Sequence, residues 1–370
     1  MPGRGETVGR RATIRDVAER AGVSKSLVSL VMRGEPMVRQ EKRRRVQQAA
    51  EELGYRMNLN LTARPLSNIR SRTIGVLVAD LRNPLLVDVV ERAGQVFEDE
   101  GLSTLLISAV MPSRHSSGSR IDGRAIGALK DLRVEAMLVV GSVPDPKALA
   151  EVLGDMPVVV AAASAEGLRA DVVRNDDHLG MRLVVDYLVA GGHTAVAHLG
   201  GLGGAVAEER VAGYCAGMAH HGLESEIVVA ESDFTEDAGY RGAARLLRGE
   251  RPVTAIAAIN DLAAVGAMSA VADAGLRVPG DVAVTGYDDT FVAAIRQVSL
   301  TSVNSDSPGI GTQAAHCVLR RIEDPGRPVE EHLLPPRLVT RYSSGAPILG
   351  VRTAEQDRAT ADEPAQKPCP

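Results

Sequence analysis

The chain has 370 residues, 45% of them hydrophobic and 24% charged, which predicts a globular protein of two or three folding units and excludes a chain too polar to bury a core. Its net charge of −5 conceals an asymmetry: residues 1–72 carry 16 Lys/Arg against 7 Asp/Glu, and the remainder carries 26 against 40. A basic N-terminal fifth on an acidic body is the footprint of a nucleic-acid-binding module, with a merely solvated basic face as the alternative. No apolar run approaches the ~20 residues that span a bilayer. The opening MPGRGETVGRRAT lacks the apolar segment of a secretory signal. Cys215, Cys317 and Cys369 are few, odd in number and far apart, so they form neither a metal-ligand spacing nor a disulfide framework. A cytoplasmic protein without metal or cofactor is the expectation.

In chain order, residues 1–11 are Gly/Arg-rich and unpatterned, the composition of a disordered arm. Thr13-Ile14-Arg15-Asp16 has capping-box spacing and opens a first helix that Gly22 stops. Ser24 can cap a second helix to about Met32, which Arg33-Gly34-Glu35-Pro36 breaks. A third runs from about Gln40 to Leu53, with Val46, Ala49, Ala50 and Leu53 on its buried side. The tight turn Ala21-Gly22-Val23 sets the first two helices at a steep angle. Val17, Ala18, Val23, Leu27 and Val28 then form the core between them, leaving Ser24, Lys25, Ser26 and Ser29 exposed at the start of a helix that can enter a major groove.

Residues 58–72 read as a polar connector. From residue 73, strand-length apolar runs (Thr73–Ala79, Ser103–Ser108, Ala136–Val140, Val158–Ala161) alternate with helical stretches such as Leu85–Glu100, the rhythm of a parallel sheet covered by helices. A second series follows with Ala195–Leu199, Ile227–Ala230, Ala255–Ile259 and Val282–Thr285, which predicts two similar α/β lobes. Ligands of such sheets sit beyond the carboxyl ends of the strands. Residues 345–370 lose all pattern, as a disordered tail does.

The segment Thr13–Tyr55 resembles the headpiece of the LacI/GalR family of bacterial regulators, through TIRDVAERAGVS, the pair Val28-Ser29 and the closing AAEELGY. The resemblance continues through TIGVLVADLRNP (Thr73–Pro84), ERVAG ending at Gly213, NDLAAVG (Asn260–Gly266) and VPGDVAVTGYDD (Val278–Asp289). It implies an all-α helix-turn-helix headpiece (12–57), a hinge connector (58–72), and an α/β two-lobed periplasmic-binding-protein-like domain (73–344). Lobe 1 then takes about 73–174 and 305–333, and lobe 2 about 175–304 and 334–344. It also implies a homodimer on double-stranded operator DNA, controlled by a sugar-like small-molecule effector, with no membrane partner.

By resemblance, Lys25 and Ser26 read base edges and Ser29 contacts phosphate, with Thr13, Ser24, Leu30, Arg33, Asn58 and Leu66 completing the DNA-binding set. Leu30 stands where members often carry Arg, a bidentate reader of guanine, so discrimination worth about 1–3 kcal/mol is absent there. Leu30 either touches a thymine methyl or packs in the core. Ala63-Arg64-Pro65-Leu66 resembles the end of the family's hinge helix, making Leu66 the candidate minor-groove wedge, with Leu61 its competitor. Lys42-Arg43-Arg44-Arg45 is either a solvated face or a source of extra phosphate contacts.

For the effector, Arg210, Asn260 and Asp288 match the family's polar pocket residues, Phe234 an aromatic that stacks on a ring, and Asn83 lies in the matched loop after the first strand. Leu85 and Leu86 replace aromatics, Ala162 stands where a charged residue is expected, and Ser305 replaces Gln, so the pocket is less polar and less aromatic than a sugar site. The rival reading is a DNA-binding regulator with a degenerate pocket, controlled by a partner protein or by its own concentration. An enzyme lacks support: there is no GxxxxGK[ST], HExxH or GxSxG, and Gly200-Gly201-Leu202-Gly203-Gly204 lacks dinucleotide-loop spacing. A pure solute-binding protein would not carry the basic headpiece.

Overall fold

The computed structural model describes residues 13–32, 38–53, 71–108, 110–112, 119–121, 123, 126–127, 132–165 and 167–345. Arg33, Asn58, Leu61, Leu66, the arm 1–11 and the tail from 346 lie outside the described residues. The chain divides into two compact units between Ser71 and Arg72.

The first unit holds α1 (Ile14–Ala21), α2 (Lys25–Met32) and α3 (Gln40–Glu52). The capping box forms: the Thr13 hydroxyl accepts from the Asp16 amide at 3.4 Å, and the Asp16 carboxylate accepts from the Thr13 amide at 2.7 Å. Gly22 ends α1 in the left-handed region (φ 63°), which a residue without Cβ enters at no steric cost. Val17, Ala18, Ala21, Val28, Val31, Val46, Ala49 and Ala50 form the core. Arg20 donates to Glu52 at 2.9 Å, tying α1 to α3, and Arg45 donates to the Ala21 carbonyl at 2.8 Å.

Three expectations are corrected here. Ser29 is buried rather than exposed: Val28 and Val31 set the inward line of α2, and Ser29, one helical step from Val28, is short enough to be covered at its edge. Leu27 is only half-buried. Leu53 is exposed because it lies in the turn beyond α3, off the inward face.

The second unit contains β1 (Thr73–Val78), α4 (Pro84–Asp99), β2 (Ser103–Ile107), β3 (Val110–Pro112), β4 (Ser119–Ile121), β5 (Ala136–Val140), α5 (Pro146–Leu153), β6 (Val158–Ala161) and β7 (Asp171–Asn175). There follow α6 (Asp177–Ala190), β8 (Val196–Gly201), α7 (Ala205–His220), β9 (Val228–Ser232), α8 (Glu236–Leu247), β10 (Ala255–Ala258), α9 (Asp261–Asp273), β11 (Ala283–Asp288), α10 (Phe291–Ala294) and β12 (Thr301–Asn304). The chain then forms α11 (Ser307–Glu323), β13 (Glu331–Leu334) and β14 (Arg337–Val339).

Two six-stranded sheets result, ordered β13-β7-β6-β5-β1-β2 and β14-β12-β11-β10-β8-β9. All pairings in them are parallel except β14 against β12. β5 and β6 are buried at every residue, which explains their unbroken apolar runs. One lobe packs α4 and α11 on its sheet through Phe97, Val89, Ile310 and Val318; burying each such side chain contributes about 1.5–3 kcal/mol. The other packs α8 and α9 on one face and α6 and α7 on the opposite one. The chain crosses between lobes three times: after Asn175, after Asn304, and between Leu334 and Arg337.

Strand order reverses beside β1, which has β2 on one side and β5 on the other, and beside β8, flanked by β9 and β10. The loops after β1 and β8 therefore leave a crevice at each switch point. Both loops contribute walls to one cavity.

Candidate functional site

On the headpiece, Ser24, Lys25 and Ser26 are exposed at the amino end of α2, and the Ser24 hydroxyl accepts from the Leu27 amide at 3.2 Å. Thr13 is exposed, with its hydroxyl engaged in the cap of α1. Ser29, expected on this face, sits beneath it, and Leu30 is half-buried, between the two roles open to it. Within the basic run, Lys42 and Arg44 are exposed, whereas Arg45 closes the end of α1.

Between the two lobes lies a cavity of about 340 Å³. Asn83, Leu86 and Ala162 line it from one lobe, and Arg210, Phe234 and Asp288 from the other. Arg210 projects from α7 and is 2% exposed. Its Nε donates to Asp177 at 2.8 Å, its Nη2 to Asp288 at 3.2 Å, and its Nη1 to the Ile259 carbonyl. The guanidinium lies 3.6 Å from the Tyr287 ring centroid and 5.8 Å from that of Phe234. Tyr287 is held from the other lobe, its hydroxyl accepting from Asn175 at 2.7 Å.

The site thus shares one guanidinium between two buried carboxylates. Burial opposes the charge on Arg210, but Asp177 and Asp288 outweigh it and hold its pKa above that of an ordinary arginine. Burial raises Asp177 against the pull of Arg210. Burial likewise pushes Asp288 up to about 7 despite Arg210, with Asp261 and Asp177 adding repulsion. Asp261, pushed up to about 6 by burial, accepts from Ser302 at 2.6 Å and from the Thr290 amide at 2.7 Å.

A pH dependence follows. A carboxyl whose folded pKa lies above its unfolded value of 3.8 contributes stability that is complete below 3.8 and lost as pH rises through about 7. Wild type should therefore gain stability over Asp288→Asn as pH falls from 7 to 4, on the order of 1 kcal/mol per pH unit. Urea unfolding of both proteins across that range measures it, and a pH-independent difference would contradict the assignment.

Asn83 caps α4, its Oδ1 accepting from the Leu85 amide at 3.1 Å, and also reaches the cavity. Asn260, expected at the ligand, is not among the cavity-lining residues. It caps α9 through the Ala263 amide at 2.9 Å and donates to the Phe234 carbonyl at 3.0 Å, so both ends of its amide are engaged inside the lobe. Phe234 faces the cavity beneath Gly203, where φ is 131° and a Cβ would stand 2.3 Å from the ring. Asp177 and Tyr287 were not legible as site residues. The pair Asp176-Asp177 reads as a helix start, and Tyr287 reads as core; only the fold turns both onto Arg210. Ser305, at a lobe crossing, is buried with no hydroxyl partner among the described residues. Among those residues no group of His, Cys, Asp or Glu could hold a metal ion, and no helix is long and apolar enough to cross a membrane.

A three-helix headpiece and a two-lobed domain with a cleft that holds Arg210 and Asp288 define a DNA-binding regulator with an effector-binding domain. Residues 13–58 match the model of bacterial regulatory proteins, lacI family, and residues 185–344 match a periplasmic binding protein-like domain. The HTH-type transcriptional regulator GalR of Escherichia coli (strain K12) is 31% identical over 341 residues, covering 91% of this chain and 97% of its own. Among solved structures, the transcriptional regulator CelR–cellobiose complex is 27% identical with a TM-score of 0.65, covering 90% of this chain and all of that one. The lac repressor dimer bound to operator and the anti-inducer ONPF is 25% identical with a TM-score of 0.69, covering 91% and 100%. The chain belongs to the LacI/GalR family of DNA-binding transcriptional regulators, and is not an enzyme.

Proposed function

We propose that the chain is a homodimeric repressor that reads a pseudo-palindromic operator, one headpiece per half-site, with its operator affinity set by a small molecule enclosed between its lobes. The cavity at the two switch points, where Arg210 and Asp288 meet walls from the opposite lobe, carries this reading. A ligand touching both lobes binds the closed arrangement more tightly than the open one. Effector and operator affinities are then reciprocally linked through that equilibrium. The complex of the related lac repressor dimer with operator supports the two-fold arrangement.

Lys25 and Ser26 supply direct base readout, Ser24 and Thr13 orient the helix ends against the backbone, and Arg33, Asn58 and Leu66 extend the contact beyond it. Ser29, buried at the edge of α2, supports the reading helix from within, and Leu30 either meets a thymine methyl or packs in the core. Selection of bound duplexes from a random pool is expected to enrich a palindrome. Lys25→Ala should alter the preference at one base of each half-site, by about 1–3 kcal/mol, and Leu66→Ala should weaken all sequences together. Binding without an enriched sequence, falling only with salt, would reduce the headpiece to a non-specific basic arm. An effector-free regulator is favoured instead if no small molecule stabilises the folded chain.

A further inference from the structure

The charges and walls of the cleft constrain the chemistry of its occupant, granted the effector reading above. Four features of the lining matter. Leu85, Leu86, Ala79 and Ala162 make one wall apolar, and Val206 and Leu262 continue it on the other lobe. Most polar groups of the lining are already matched. Asp80 and Arg82 hold each other at 2.9 and 3.0 Å, the Thr235 hydroxyl donates to Asp233 at 2.5 Å, and Asn83 caps α4. Both lining cations are thus paired, Arg82 once and Arg210 twice. Finally, three lining carboxyls, Asp80, Glu236 and Asp288, face those two arginines, while Asp177 behind Arg210 is also met by Arg174 at 3.9 Å, so the lining holds one carboxyl in excess.

Three ligand classes meet different fates here. A polyol would bring several hydroxyl groups against leucine and alanine, where each unmatched one loses its hydrogen bonds to water without replacement. An anion would meet arginines that already hold Asp80 and Asp288, with the third lining carboxyl, Glu236, adding repulsion. A cation meets the opposite situation: Arg210 holds Asp288 through one oxygen at 3.2 Å, in a lining with one carboxyl more than its arginines, and the Phe234 ring lines the same cavity. We propose that the cleft takes a small amine, with a compact apolar body against Leu85, Leu86 and Ala162 and an ammonium head donating to Asp288.

Four probes sharing one six-carbon ring test this on the full-length protein: cyclohexylmethylamine, cyclohexylmethanol, cyclohexanecarboxylate and myo-inositol. The amine should raise the melting temperature most and show the tightest calorimetric affinity, with the alcohol weaker and the carboxylate and inositol silent. Asp288→Asn should weaken the amine at least about tenfold and leave the alcohol within about threefold. Ala162→Asn provides an independent check, because Ala162 has φ 55°, a conformation Asn tolerates better than Ala. This variant should weaken amine and alcohol together by making the wall polar. Equal affinities for amine and alcohol, or silence from the amine beside binding of inositol or carboxylate, would overturn the ligand class and leave the effector cleft standing. Silence from all four, extended to a panel of sugars and purines, would overturn both.

Discussion

Arg210→Ala is expected to cost about 3–5 kcal/mol of folding stability and to abolish effector binding. The loss arises because Asp177 and Asp288, both nearly fully buried, are left without the cation that Arg210 supplies to them at 2.8 and 3.2 Å. Removing one partner of a buried ion pair exposes the desolvation cost of the other, which here falls fully on Asp288 and, on Asp177, is offset only by Arg174 at 3.9 Å. The deficit should shrink as pH falls from 8 to 5, since protonation of the orphaned carboxyls removes the buried charge. Arg210→Lys should recover only part of it. One ammonium cannot meet Asp177, Asp288 and the Ile259 carbonyl at once, nor lie flat on Tyr287 as the guanidinium does at 3.6 Å. Urea unfolding at both pH values, with calorimetric ligand titration, provides the measurement. A loss below about 1 kcal/mol would mean that the carboxylates find water or other partners.

Local rules carried the headpiece almost entirely. The capping box at Thr13, the stop at Gly22 and the inward Val17, Ala18 and Val28 depend on neighbours within one or two turns, and all formed. Ser29 failed because, one step from Val28, it falls at the covered edge of the inward face of α2. The strands of the second unit were legible as apolar runs, with Ala136–Val140 and Val158–Ala161 at their observed bounds. Their order was not, because strand adjacency depends on pairing between distant segments. The cleft shows the same division. Arg210, Phe234 and Asp288 stood out through resemblance, while Asp177 and Tyr287 join them only because α6 and β11 converge on α7. Asn260 had the opposite fate: matched to the pocket by resemblance, its amide instead caps α9, a role set by its place just before Asp261.

Asp171→Ala should destabilise the other lobe by a similar amount, about 3–5 kcal/mol, without touching the cleft. Asp171 is fully buried at the start of β7. It accepts from Arg321 Nε at 3.2 Å and from the Glu330 amide at 2.8 Å, while Arg327 approaches to 3.8 Å. Arg321 in turn donates to the carbonyls of Arg327 and Pro328, so this carboxylate pins the whole passage from α11 to the edge strand β13. Truncation leaves Arg321, itself 5% exposed, as an uncompensated cation and frees the segment that leads into the third lobe crossing. Asp171→Asn should lose less, since its amide oxygen still accepts from the Glu330 amide. The two ion clusters share no partner and belong to different sheets, so Asp171→Ala and Arg210→Ala should add within about 0.5 kcal/mol in unliganded protein. A larger coupling would mean that the crossings transmit strain between the lobes before any effector arrives, and the closure equilibrium would then be set by the scaffold as well as by the ligand.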